Sequence, residues 1–125
     1  MLKTVATDSA PAAIGPYSQA VVAGNTVYAS GQIPLVPETG KLAQGGVAAQ
    51  AEQTIKNVGE ILKAAGASYG AVVKTTCFLA YMDDFAAFNA VYEKYFTGKP
   101  ARSCIAVKAL PRGALCEVEA VAVLE

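Results

Sequence analysis

Two residues apart, Arg102 and Cys104 sit in the stretch Lys99-Pro100-Ala101-Arg102-Ser103-Cys104, just ahead of the apolar positions Ile105 and Val107. The stretch reads as the start of a strand, so both side chains point to one face. A guanidinium matches a carboxylate with two parallel hydrogen bonds, and Arg102 is one of only two arginines in the chain. The chemistry indicated is binding of a small carboxylate. Surface exposure or a structural ion pair is the competing account of the same arginine. Glu117 and Glu119 are a second candidate pair. On a strand they share a face about 7 Å apart, and Val121 and Val123 continue it. At least one glutamate then approaches a buried environment, where its pKa rises and it can act on a water as general base.

The chain contains no histidine, which removes the usual proton shuttle and the commonest metal ligand. Its three cysteines, Cys77, Cys104 and Cys116, lack metal-ligand spacing. No zinc site is therefore expected. Cys104 has only Arg102 to activate it, so it reads as a pocket wall rather than a nucleophile. Tyr17 and Ser30 stand beside Gly15 and Gly31, where backbone can approach a ligand and free N–H groups can bind an oxygen. Asn89 follows Phe88 on a predicted helix, as a possible site amide or a capping one.

The elements that must position these groups follow from pattern. Leu2–Thr7 suggests an edge strand, and Gly24-Asn25 joins two apolar runs as a hairpin. A Gly- and Pro-rich loop with a turn at residues 37–40 follows. Residues 47–65 carry a helical apolar stripe ending at Gly66; Gly59 inside it suggests close approach to the sheet. Residues 71–81 read as a strand. Asp83 or Asp84 is expected to cap a second helix to about Phe96, with an aromatic stripe. Strands over 102–107 and 115–124 complete a β-ββ-α-β-α-β-β order, an α+β pattern with both helices on one face of a mixed sheet.

The 125 residues fit a single domain spanning 1–125. Hydrophobic residues make up 54% and charged ones 16%, against a usual charged share of about 25%. This favours a surface partly covered by other subunits. The formal net charge is zero, which argues against nucleic acid as a partner. No apolar stretch approaches a membrane span, and residues 1–5 lack a signal-peptide core. With free thiols, these features point to the cytoplasm.

Several segments occur together in order: Ile14-Gly15-Pro16-Tyr17-Ser18-Gln19-Ala20, Ser30-Gly31-Gln32-Ile33-Pro34, Val73-Lys74-Thr75-Thr76, Asp84-Phe85 with Asn89 and Tyr92, Pro100 to Cys104, and Glu117-Val118-Glu119-Ala120. From about residue 3 to 124 the chain closely resembles the RidA (YjgF/Rid) family of enamine/imine deaminases. The resemblance implies a chorismate-mutase-like α+β fold, a homotrimer with sites between subunits, and no cofactor. It implies hydrolysis of 2-enamine or 2-imine acids such as 2-aminoacrylate and 2-iminobutyrate to 2-keto acids and ammonia. By position, Arg102 matches the carboxylate-binding arginine and Glu117 the glutamate that positions or activates water. Tyr17, Ser30, Gly31, Asn89 and Cys104 match pocket residues, with Tyr17 or solvent supplying the nitrogen proton. Lys99 replaces a common aromatic residue, the connection from Phe96 to Pro100 is short, and Tyr81 stands where an acidic residue is common. Relatives described as endoribonucleases and translation inhibitors supply a second reading. A non-catalytic trimer binding a small acid is a third.

Overall fold

The computed structural model describes residues 2–125. Its strands are β1 (Leu2–Val5), β2 (Ala20–Ala23), β3 (Thr26–Gln32), β4 (Val72–Leu79), β5 (Ala101–Ala106) and β6 (Cys116–Val123), with helices α1 (Val47–Ala64) and α2 (Phe85–Tyr95). The expected element order holds, with most ends trimmed by one or two residues and β5 beginning one residue earlier than expected, at Ala101. Gly24 takes φ 63° between the paired residues Ala23 and Thr26, the turn geometry that glycine makes accessible.

One six-stranded sheet runs in the order β1-β2-β3-β6-β4-β5. Strand β6 lies between β3 and β4 and is antiparallel to both, whereas β4 and β5 are parallel and joined by α2. The last strand thus fills a gap left by the α1 crossover. Both helices cover one face, burying Ile55, Val58, Ile61, Leu62 and Phe88 against Val27, Cys77, Leu79 and Val118. Along β6, Cys116, Val118, Ala120 and Ala122 enter this core, while Glu117, Glu119, Val121 and Val123 face the opposite way. That second face carries Tyr28 and Ile105, both about half exposed, beside Phe78 and Val121.

Polar residues of α1 tie down the long loop and the segment that leads into β6. The Asn57 amide donates to the carbonyls of Ile33 and Leu35 at 3.2 and 2.9 Å, and the Gln50 carbonyl accepts from the Leu115 amide at 2.8 Å. At α2, Asp84 occupies the N-cap position as expected, but its side chain makes no capping hydrogen bond.

Gly59 serves a different contact from the expected one. Its missing side chain makes room for Tyr69, not the sheet: a Cβ at residue 59 would lie 2.6 Å from Tyr69 Cζ. The tyrosine cannot easily withdraw. Its hydroxyl donates to the Ile55 carbonyl at 2.8 Å, and its ring packs on Tyr95 and Phe96 at 5.4 and 5.3 Å. Gly59→Ala is therefore expected to destabilise the fold by about 1–3 kcal/mol through overpacking, although alanine is the better helix former by roughly 1 kcal/mol. Urea denaturation measures the difference, and a stabilised variant would refute the crowding.

Candidate functional site

Arg102 lies on the helix-covered face of β5, half-buried under α2. One terminal nitrogen donates to Asn89 Oδ1 at 2.7 Å. The guanidinium carbon lies 4.8 Å from the centre of the Tyr92 ring and 5.5 Å from that of Phe85. These are neutral partners: an amide oxygen and two aromatic rings hold the cation without cancelling its charge. A guanidinium has five N–H donors, so the Asn89 bond leaves a fork for an incoming carboxylate. Arg102, Asn89 and Tyr92 line a cleft of about 320 Å³ with Glu93, Phe96, Lys99 and Pro100. Lys99 takes the left-handed φ 54° at this rim.

Cys104 shares the Arg102 face, as expected, and lies beside Cys77 across the parallel β4–β5 pairing. Burial pushes the Cys104 thiol up, against the lowering effect of Arg102, so the nucleophilic thiolate is disfavoured. Burial pushes Cys77 up to about 12 and Cys116 to about 11.

Glu117 lies on the open face, next to Phe78 in the β4–β6 pairing. It is half-buried, whereas Glu119 is exposed. Burial, and then the charge of Glu119, raise the Glu117 pKa above the ordinary carboxylate value. Its carboxylate lies over Gly31, where a Cβ would be 3.0 Å from Glu117 Cδ. Gly31 belongs to a β-bulge between Ala29 and Gln32, and it lines a second cleft of about 290 Å³ with Tyr17, Ile14, Pro11, Ile33 and Arg112. Tyr17 is 52% exposed at this cleft.

Two of the amides beside these glycines, those of Tyr17 and Ser30, are already engaged. The Tyr17 N–H donates to the Gly15 carbonyl and the Ser30 N–H to the Gln19 carbonyl, both at 2.9 Å. The Ser30 hydroxyl donates to the Ser18 carbonyl at 2.6 Å, so this serine straps the Tyr17 loop to β3. Buried Gln19 completes the strap: its side-chain oxygen accepts from the Thr7 amide at 2.6 Å, and its nitrogen donates to the Pro11 carbonyl at 2.7 Å.

The candidates thus fall into two groups. Arg102, Asn89 and Cys104 gather under α2, while Glu117, Gly31, Tyr17 and Ser30 gather at the β3 bulge. Arg102 and Glu117 project from opposite faces of the sheet, so within one chain they do not converge on one small molecule. Residue-by-residue reading missed the support given by Phe85 and Tyr92. The aromatic stripe of α2 signalled packing, but nothing in it marked two of its members as neighbours of a cation. Among the described residues no cluster of three or more metal-ligating side chains occurs, and no helix is long and apolar enough to cross a membrane.

Comparison with known proteins adds the lineage. A family model described as Endoribonuclease L-PSP matches residues 7–124. A 2-iminobutanoate/2-iminopropanoate deaminase of Mus musculus is 55% identical over 122 residues, covering 97% of this chain and 90% of that protein. The crystal structure of a putative endoribonuclease from Thermotoga maritima superposes with a TM-score of 0.96 at 52% identity, over 98% of each chain. E. coli TdcF with bound serine gives a TM-score of 0.94 at 42% identity, covering 98% of this chain and 99% of that one. Matched over nearly its whole length in both sequence and fold, the chain belongs to the Endoribonuclease L-PSP family, the RidA (YjgF/Rid) family that its ordered motifs resemble.

Proposed function

We propose that this protein hydrolyses reactive 2-imino acids, and the 2-enamine acids that tautomerise to them, to 2-keto acids and ammonia. The observation that carries the reading is Arg102: a half-buried cation in a cleft, held by Asn89 and aromatic faces, with most of its donors unspent. The name of the mouse relative, and the serine bound to TdcF, support a small amino-acid-like ligand.

The chemistry suits the residues. A protonated imine is already electrophilic, so no metal, histidine or strong nucleophile is required. Arg102 holds the substrate carboxylate with two parallel N–H donors and fixes the C=N carbon. Glu117 accepts a proton from water as the water oxygen bonds to that carbon and the C=N electron pair moves to nitrogen. Proton transfer to the resulting carbinolamine nitrogen then lets ammonia leave as the hydroxyl proton passes to water and the C=O bond forms. Tyr17 is the side chain we assign to exchange protons at that nitrogen, and Cys104 to the wall of the pocket.

Because Arg102 and Glu117 project from opposite faces of one chain, the reading requires the arginine of one copy and the glutamate of another. A homotrimer provides this, and its subunits would cover the apolar open face around Tyr28, Phe78 and Ile105. Zero net charge gives RNA no electrostatic foothold, so the endoribonuclease description is not adopted as the activity. The free thiols suit a cytoplasmic setting.

Arg102→Ala is expected to lower kcat/KM for 2-iminobutyrate, generated in place by a threonine dehydratase, by about 100-fold or more. Glu117→Gln is expected to lower kcat by about 10²–10⁴. Co-expressing the two inactive variants should restore about one quarter of wild-type activity, the share of interfaces that pair an intact arginine with an intact glutamate at random mixing. No recovery would show that the two residues do not act across an interface. The acid limb of the kcat profile should lie above the usual glutamate value of about 4.3, because activity is lost as falling pH protonates Glu117. Glu119→Gln removes the neighbouring charge, lowers the Glu117 pKa and should move that limb to lower pH; an unmoved limb would assign it to another group.

A further inference from the structure

Thr75 and Tyr92 belong to the family-like motifs, yet the hydrolysis gives neither a part. Thr75 is fully buried in the middle of β4, and Tyr92 is nearly so on α2. Their hydroxyl oxygens are 2.7 Å apart. The Tyr92 ring stacks on Phe96 at 4.5 Å and meets Phe88 at 5.9 Å, while Arg102 lies 4.8 Å from its centre. Thr75 is also the register partner of Arg102 across the parallel β4–β5 pairing. One residue therefore fixes the arginine twice. Its strand position sets where β5 presents Arg102, and its side chain pins the ring on which the guanidinium rests.

Packing alone does not call for this pair. A valine and a phenylalanine would fill similar volume without two buried hydroxyls that serve each other, the Thr75 oxygen having besides only the weak Cys77 thiol donor at 4.0 Å. What the hydroxyl bond adds is a fixed position for the ring, and the phenol offers the cation an electron-rich face. We propose that Thr75 and Tyr92 are positioning residues: their bond pins the platform that holds Arg102 in place, and so sets the affinity for the substrate carboxylate. The inference rests on the reading of Arg102 as the carboxylate anchor.

The test compares Thr75→Val, Tyr92→Phe and the double variant in two measurements: thermal melting, and calorimetric binding of 2-oxobutanoate, the keto-acid product. Each single variant removes the strong partner of a buried hydroxyl, leaving Tyr92 with none or Thr75 with only the Cys77 thiol, and should melt earlier. The double variant leaves no orphan and should regain most of its melting temperature. Its Kd for 2-oxobutanoate should nevertheless stay about fivefold weaker, with KM raised to match and kcat unchanged. Thr75→Ser keeps the hydroxyl and should bind as wild type does.

Binding by the double variant within about twofold of wild type, or binding that recovers in step with melting, would overturn the proposal. Weakened binding by Thr75→Ser would overturn it as well, since packing would then account for the effect. The single variants decide the matter if the double variant does not fold: lowered melting with unchanged Kd assigns the pair to stability alone. Arg102→Ala separates the two readings. If it abolishes 2-oxobutanoate binding while the double variant binds normally, only the positioning role fails. If Arg102→Ala binds normally, the anchor reading itself fails.

Discussion

A guanidinium stays charged wherever it is placed, so drawing one partly out of water commits the surrounding protein to supporting a cation. A carboxylate beside Arg102 would have given a neutral pair with little left to offer a ligand. Asn89 supplies one acceptor oxygen instead, and Tyr92 and Phe85 supply ring faces. Such neutral partners restrain the side chain while leaving its charge for an anion. The requirement extends outward through the structure. The rings need α2 laid across β4 and β5, and α2 needs the crossover that makes those strands parallel. The buried packing of Phe88, Tyr92 and Phe96 then keeps the helix in place. The aromatic stripe is thus both core and scaffold for the cation.

The second constraint is the period of two along a strand. It puts Arg102 and Cys104 together, and it puts Glu117 on the other face from the core residues Cys116 and Val118. The bulge in β3 adds what regular alternation cannot. By inserting one extra residue between Ala29 and Gln32 opposite β6, it brings Gly31, with no Cβ in the way, under the Glu117 carboxylate. The Ser30 hydrogen bonds then tie the loop bearing Tyr17 to the same bulge, and the Gln19 side chain braces that loop against Thr7 and Pro11. Each half of the candidate site is therefore preorganised within its own chain, on strands and one helix rather than on free loops.

Local features were legible in the sequence because short-range chemistry decides them. Gly24-Asn25 specified the hairpin, the stripe from Ala51 to Leu62 specified α1, and alternation placed Arg102 and Cys104 on one face. The order of the elements and the use of one sheet face by both helices followed from the same patterns. The insertion of β6 between β3 and β4 was not legible, since it joins strands far apart in the chain and leaves no local mark. Nor was the contact behind Gly59. A glycine in a helix reports that something is close, but not that the neighbour is Tyr69. Thr75 is one threonine in a strand of β-branched residues, and only its tertiary partner sets it apart from Thr76. The engaged amides of Tyr17 and Ser30 reflect the same limit: the sequence shows which backbone is adaptable, while the fold decides which donors remain free.

Separating the two charges also has a chemical consequence. Arg102 and Glu117 have opposite signs, and on one face they could have formed an ion pair. Such a pair would lower the glutamate pKa and occupy the arginine's fork. With the sheet between them, each keeps its own environment. Arg102 retains its charge against the neutral groups that touch it, and burial together with Glu119 raises Glu117 toward a proton affinity useful to a general base. The raised pKa has a cost. A carboxyl group whose folded pKa exceeds its unfolded value contributes stability at low pH, and that contribution is lost as pH rises through the folded pKa. Near neutrality Glu117 is thus a burden on the isolated chain. In the proposed assembly the two groups face each other across a subunit boundary with the substrate between them: its carboxylate takes the arginine's fork and the glutamate is left for water. An anionic, electrophilic substrate with its own leaving amine is the kind of molecule that such a division of labour can turn over without a histidine, a metal or a reactive thiol.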